Sequence, residues 1–141
     1  MVLLSAGAGW AGESHDAQVS RFQTAFTAYW RHSMKSMKSL GDTVDPKRCA
    51  TGDEAVAFMD RALEESRKLA SEVRTAAKLL SSEEQKAASA RSAEALAKQL
   101  SETEAEETAR EERLRAFKAA CPKQDEELAK RVRAFTEAAG R

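Results

Sequence analysis

The chain has 141 residues, about one domain's worth, with 23 Lys and Arg balanced against 23 Asp and Glu. No net field draws it to nucleic acid or to an anionic membrane, so an electrostatic partner has to be met by a local patch. Ala, Glu, Lys and Arg dominate, aromatics are only 6% and there are two prolines; this excludes a strand-rich fold and predicts an all-α one.

The opening MVLLSAGAGWAGES holds an apolar run from Val2 to Ala11. At about 10 residues it is far short of the roughly 20 that span a bilayer, so no transmembrane segment is expected. Ala6-Gly7-Ala8 and Gly9-Trp10-Ala11 both fit the small-x-small rule of signal cleavage, yet nothing basic precedes Arg21. Residues 1–12 therefore read as a signal-peptide remnant or as a disordered tail, and 13–141 as a single helical domain.

A first helix is predicted from Ser14 or Asp16 to about Ser39. Its stripe is Val19, Phe22, Phe26, Tyr29, Trp30, Met37 and Leu40. Gly41 suits its C-terminal cap, and Asp45-Pro46 interrupts helix in a loop over 41–52 that has little structure of its own. Thr51 or Asp53 can cap the next helix, predicted over 54–80. Its seam of Val56, Met59, Leu63, Ser66, Ala70, Val73, Ala77 and Leu80 steps by three and four, as in coiled-coil packing. Val56, Met59, Leu63, Val73 and Leu80 should lie buried against Phe22, Phe26 and Trp30.

The stretch LSSEEQ at 80–85 carries a serine cap followed by carboxylates and an amide, which marks a hairpin apex and a new helix start. It resembles the Leu-Thr-x-x-Gln motif of periplasmic stress chaperones and metal-stress helical hairpins, with the glutamine one position late. Capping chemistry accounts for the same letters, so nothing is transferred from that family.

A third helix is predicted over 82–120, from Ala93, Leu96, Ala97 and Leu100 to Leu114 and Phe117. Its middle, SETEAEETAREER, has only Ala105 and Ala109 on an apolar stripe, which should pack opposite Phe58, Met59 and Leu63. Pro122 ends it. A short fourth helix follows, with Leu128, Val132 and Phe135 on one side and the pairs Glu126–Lys130 and Glu127–Arg131 on the surface. Three long helices and a short C-terminal one give an antiparallel up-down bundle.

Cys49 and Cys121 lack a CxxC spacing, which excludes a thioredoxin-like motif and a zinc ribbon. With an apex near residue 84 they fall at the same end of the bundle, where a disulfide can form. Closing about 70 residues would stabilise the fold by roughly 4 kcal/mol if the chain reaches an oxidising compartment. In the cytosol the thiols would stay reduced.

The two histidines, His15 and His32, belong to no Glu-x-x-His, CxxCH or His-Glu-x-x-His pattern, and no glycine-rich loop follows a strand. Neither catalytic residues nor a metal site nor a cofactor is expected. The cluster His32, Met34, Met37 and Met59 suits Cu(I) by ligand type, but His32 lies about 200° from Met34 around the helix, so core packing is the better reading.

Two charged features remain. Arg31, Lys35 and Lys38 form a basic stripe on helix one, and Glu102, Glu106, Glu107 and Glu111 form an acidic patch on helix three, within a block that includes Glu104 and Glu112. Each is a solvated face, or the two meet across the bundle, or one docks a partner. The functional expectation is an exported, periplasmic or secreted, non-enzymatic bundle. It would work by protein–protein contact as an adaptor, inhibitor or chaperone-like binder, with homo-oligomerisation left open. A metal- or small-ligand-binding bundle and a cytosolic coiled-coil-like structural subunit are the alternatives.

Overall fold

The computed structural model describes residues 14–102 and 104–138, without the side chains of 100–102. The expectations for residues 1–12, Leu100 and the Glu102 side chain lie outside the described residues. The described residues form five helices and no strand: α1 (His15–Thr43), α2 (Thr51–Ala77), α3 (Ser82–Glu102), α4 (Glu104–Ala120) and α5 (Pro122–Ala138). The all-α class holds. The helix predicted over 82–120 is covered by α3 and α4, whose described residues are 82–102 and 104–120. The last helix, α5, has 17 residues, fewer than α1, α2 and α3.

Capping chemistry sets several of the ends. Ser14 Oγ accepts from the Ala17 amide (3.2 Å) and opens α1. Between α2 and α3 a reciprocal capping box forms: the Glu84 amide donates to Ser81 Oγ (3.2 Å), and the Ser81 amide donates to Glu84 Oε1 (2.8 Å). Gln85 Nε2 reaches back to the carbonyls of Ala77 (3.0 Å) and Leu80 (3.2 Å), so one side chain serves the end of α2 from the start of α3. Glu84 also contacts His15 at the start of α1. The Ser81 hydrogen bonds, with a smaller contribution from His15, hold the Glu84 carboxyl below its ordinary pKa.

The connection between α1 and α2 is better ordered than its composition suggests. Lys47 N donates to Asp45 Oδ1 (2.9 Å), Asp45 and Arg48 form an isolated bridge, and Val44 is buried. Thr51 does not cap α2, whose N-cap Ala50 offers no side-chain bond. Thr51 Oγ1 instead accepts from the Asp45 amide (2.9 Å) and donates to the Arg48 carbonyl (2.6 Å), closing the loop on itself.

The core has two centres. Leu40 and Val44 at the end of α1 meet Ala55, Met59 and Ala62 near the start of α2, with Phe117 of α4, Cys121, and Leu128 and Phe135 of α5. Phe22 near the start of α1 meets Ala76 and Leu80 at the far end of α2, together with Ala88 of α3. Although a tight turn joins α2 to α3, α3 packs chiefly on α1, while α5 packs on α2.

The α2 seam keeps Met59, Ser66, Ala70 and Leu80 of the predicted line but shifts by one residue at three places, where Ala55, Ala62 and Ala76 replace Val56, Leu63 and Ala77. Ala55, Met59, Ala62, Ser66, Ala70 and Ala76 are the buried positions, whereas Val56, Leu63 and Val73 are half-buried. Small residues occupy the line of closest approach and let the backbones close in, while the branched side chains pack beside it. Trp30, expected in the core, is 39% exposed and stacks edge-on against buried Tyr29. Ser66 Oγ is fully buried with no hydrogen-bond partner among the described residues. Its natural acceptor one turn back, the Ala62 carbonyl, already takes a hydrogen bond from His32 Nε2 (2.9 Å).

Candidate docking groove

One end of the molecule is cinched by four devices, and a groove runs across it. Cys49 and Cys121 sit at disulfide distance, with an S–S separation of 2.03 Å and Cα atoms 5.5 Å apart, tying the α1–α2 loop to the α4–α5 junction. Gly41, predicted as a cap, lies inside α1 at a buried crossing with α4. A β-carbon there would stand 2.8 Å from Arg110 Cβ. Gly52 does the same for α4 and α5, since its β-carbon would meet Phe117 Cζ and Gln124 Cβ, both at 2.8 Å. Glycine is required at both points by close approach and not by backbone conformation.

Arg110 is the fourth device. Its side chain is 8% exposed, with Nε on Asp42 of α1 (3.1 Å), Nη1 on Glu107 (3.2 Å) and Nη2 on Glu106 (3.2 Å). These carboxylates keep the guanidinium charged against the opposing effect of burial. Arg113 Nη1 adds a hydrogen bond to the Gly41 carbonyl (2.9 Å), so α4 satisfies an acceptor in the last turn of α1. The alanine stripe expected to pack here does not: Ala105 and Ala109 are exposed, and Arg110 faces α1 in their place. An alanine stripe buries little area, and three carboxylates around one guanidinium orient the helix more strongly.

The groove lies between α1, α4 and α5 and encloses about 380 Å³. Buried Leu40 and Leu128 form its floor, and half-buried Met37, Leu114 and Val132 form its walls. Exposed Arg115 and Lys118 of α4 and Arg133 of α5 stand on its rims, with one carboxylate, Asp125, among them. Arg115 reaches Glu111 only at 4.0 Å, and Lys118 and Arg133 make no ion pair among the described residues. Across α5, Arg131 pairs with Asp60 of α2 (2.9 Å) and with Glu127 (2.8 Å), anchoring the far side of that helix. Glu127 takes Lys130 as well (3.6 Å), in place of the expected Glu126–Lys130 pair.

The residues singled out from sequence fall elsewhere. Arg31, Lys35 and Lys38 are exposed and make no ion pair among the described residues. Lys35 borders a smaller hollow between α1 and α2, about 280 Å³, with His32, Phe58 and Arg61. Glu106 and Glu107 are committed to Arg110, and Glu111 leans toward Arg115, so these members of the acidic patch are matched within their own helix. His32 and Met37 line different grooves, and Met59 is fully buried in the core. The groove rims were not anticipated. Their trace is RLRAFKAACPKQDEELAKRVR, in which Leu114, Phe117, Leu128 and Val132 alternate with cations at helical spacing.

Among the described residues no helix is long and apolar enough to cross a membrane. No family model matches the chain, and neither a curated protein nor a solved structure shows significant similarity to it.

Proposed function

We propose that this chain is a non-enzymatic binding module that acts by contact with another protein, as an adaptor, inhibitor or chaperone-like binder. The observation carrying this reading is the α1/α4/α5 groove, where an apolar floor is bordered by three cations, two of which, Lys118 and Arg133, make no ion pair among the described residues. A rigid frame surrounds it, which reduces the ordering cost of association. The reading takes residues 13–141 as one up-down bundle and the protein as exported, since the cysteine pair is placed to be oxidised and oxidised pairs persist outside the cytosol. The exposed Arg31–Lys35–Lys38 stripe is a secondary contact surface in this scheme.

Two measurements test it. A photo-crosslinking residue placed at Ala129 in the groove should capture a protein in the native host. That product should vanish with Val132→Asp, while a control probe at exposed Ala93 on α3 captures nothing comparable. Equal products from both positions, unaffected by Val132→Asp, would remove the groove from the function. Intact-mass measurement of protein from the same host, with and without reductant, should show an N-terminus between Gly9 and Glu13 and a deficit of two hydrogens. Retained Met1 with two free thiols would refute export.

A further inference from the structure

The shape and charge of the groove specify what it takes. We infer that its occupant is an acidic amphipathic helix of a partner protein, laid with its apolar stripe on Met37, Leu114, Ala129 and Val132 above the buried Leu40 and Leu128, and its carboxylates toward Arg115, Lys118 and Arg133; this rests on the reading of the groove as a protein-docking site.

Three observations converge on that occupant. The first is openness: Ala129 and all three rim cations are exposed, and only Leu40 and Leu128 are fully withdrawn. Small-molecule sites enclose about 70–90% of their ligand, which an open trough does not, whereas a helix brings its own bulk to cover the rims. The second is spacing. Leu128 and Val132 are four residues apart along α5, about 6 Å of helix, and Leu114 and Lys118 are four apart along α4. An apolar guest pair at i and i+3 or i+4 matches that length. The third is charge. Arg115 and Lys118 stand on the α4 rim and Arg133 on the α5 rim, so cations flank the apolar floor on both sides, three against the single carboxylate of Asp125. A guest with carboxylates on both edges of its apolar stripe is matched, and one with lysines there is repelled.

Fluorescence anisotropy on the full oxidised chain tests this with synthetic helical peptides of about 16 residues, roughly 24 Å long. One carries leucines on a single stripe with glutamate flanks, a second has the same stripe with lysine flanks, and a third keeps the glutamates but replaces the leucines by alanine. The glutamate-flanked leucine peptide should bind about tenfold or more tighter than the lysine-flanked one, a preference that falls with added salt. The alanine peptide should bind at least about tenfold more weakly than its leucine counterpart. The double variant Lys118→Glu/Arg133→Glu, whose folding is checked by its circular dichroism and Tm, should reverse the order of the first two. Equal affinities, no measurable binding of any peptide, an order unchanged by the double variant, or equally tight binding to anionic phosphatidylglycerol vesicles would each overturn the inference. A groove-dependent crosslink at Ala129 together with peptides that show no charge preference would place the error in the partner's chemistry and leave the docking reading intact.

Discussion

Gly52→Ala probes the crossing on which the cinched end depends. Gly52 is buried at the second position of α2, and an added β-carbon would lie 2.8 Å from Phe117 Cζ and 2.8 Å from Gln124 Cβ, with Gln124 Cγ at 3.4 Å. Ordinary carbon–carbon contacts are about 3.5–4.0 Å, so two neighbours would have to retreat by roughly 1 Å on different sides of the new methyl. Neither can do so freely. Phe117 is fully buried, and the Gln124 contact is at its own β-carbon, which moves only with α5. Overpacking of this kind costs about 1–3 kcal/mol, and the helix-propensity gain of alanine over glycine, at most about 1 kcal/mol in a helix interior, is smaller in the first turn. The expected result is a net loss of about 1–2 kcal/mol, or a Tm lowered by roughly 3–10 °C for a chain of this size. Urea unfolding of the oxidised protein with the disulfide intact is the appropriate assay. Phe117→Leu, which removes the ring tip, should rescue part of the effect, so that the double variant is more stable than the two single losses summed by about 0.5 kcal/mol or more. A neutral or stabilised Gly52→Ala variant, or strict additivity with Phe117→Leu, would refute the close-approach argument.

Four further outcomes follow from the same geometry. Cys49→Ser/Cys121→Ser should lose about 4 kcal/mol relative to the oxidised protein, because the bridged residues are 72 apart in sequence; urea midpoints read this, and equal midpoints would show that the pair does not cross-link the native chain. Ala62→Leu should destabilise by about 1–3 kcal/mol while Leu63→Ala costs less than about 1.5 kcal/mol, the opposite of what the predicted seam implies; thermal unfolding distinguishes them. Ser66→Ala should be neutral or stabilising by a few tenths of a kcal/mol, since it removes a buried hydroxyl without a partner and installs a better helix former. Glu84 has its folded pKa lowered chiefly by Ser81, so its contribution is present above the ordinary carboxylate range and is lost as pH falls through that range toward the folded value. Glu84→Gln should therefore flatten the acid side of a Tm–pH profile, and a profile parallel to the parent's would refute the capping role.

Local chemistry determined much of this protein without tertiary help. Helix-forming composition, the Ser14 cap, the Ser81–Glu84 box and the Pro122 break are set by contacts within a turn or two of chain, and each is present as read. The approach of Cys49 to Cys121 also followed, because a helical hairpin folded near residue 84 places them at one end. What sequence periodicity left undecided was which side chains stand on the contact line. Periodicity weights large apolar residues, but helices close most tightly over small ones, so Ala55 and Ala62 take the positions that Val56 and Leu63 were expected to hold. Arg110 is the sharper case. In an acidic helix an arginine reads as a surface residue, and only the arrival of Asp42 from α1, 68 positions away in the chain, turns Arg110 into a buried anchor opposite Gly41. The groove has the same origin. Met37, Leu114 and Val132 lie on three different helices, and their joint surface exists only because glycine crossings at 41 and 52 set how far apart those helices stand.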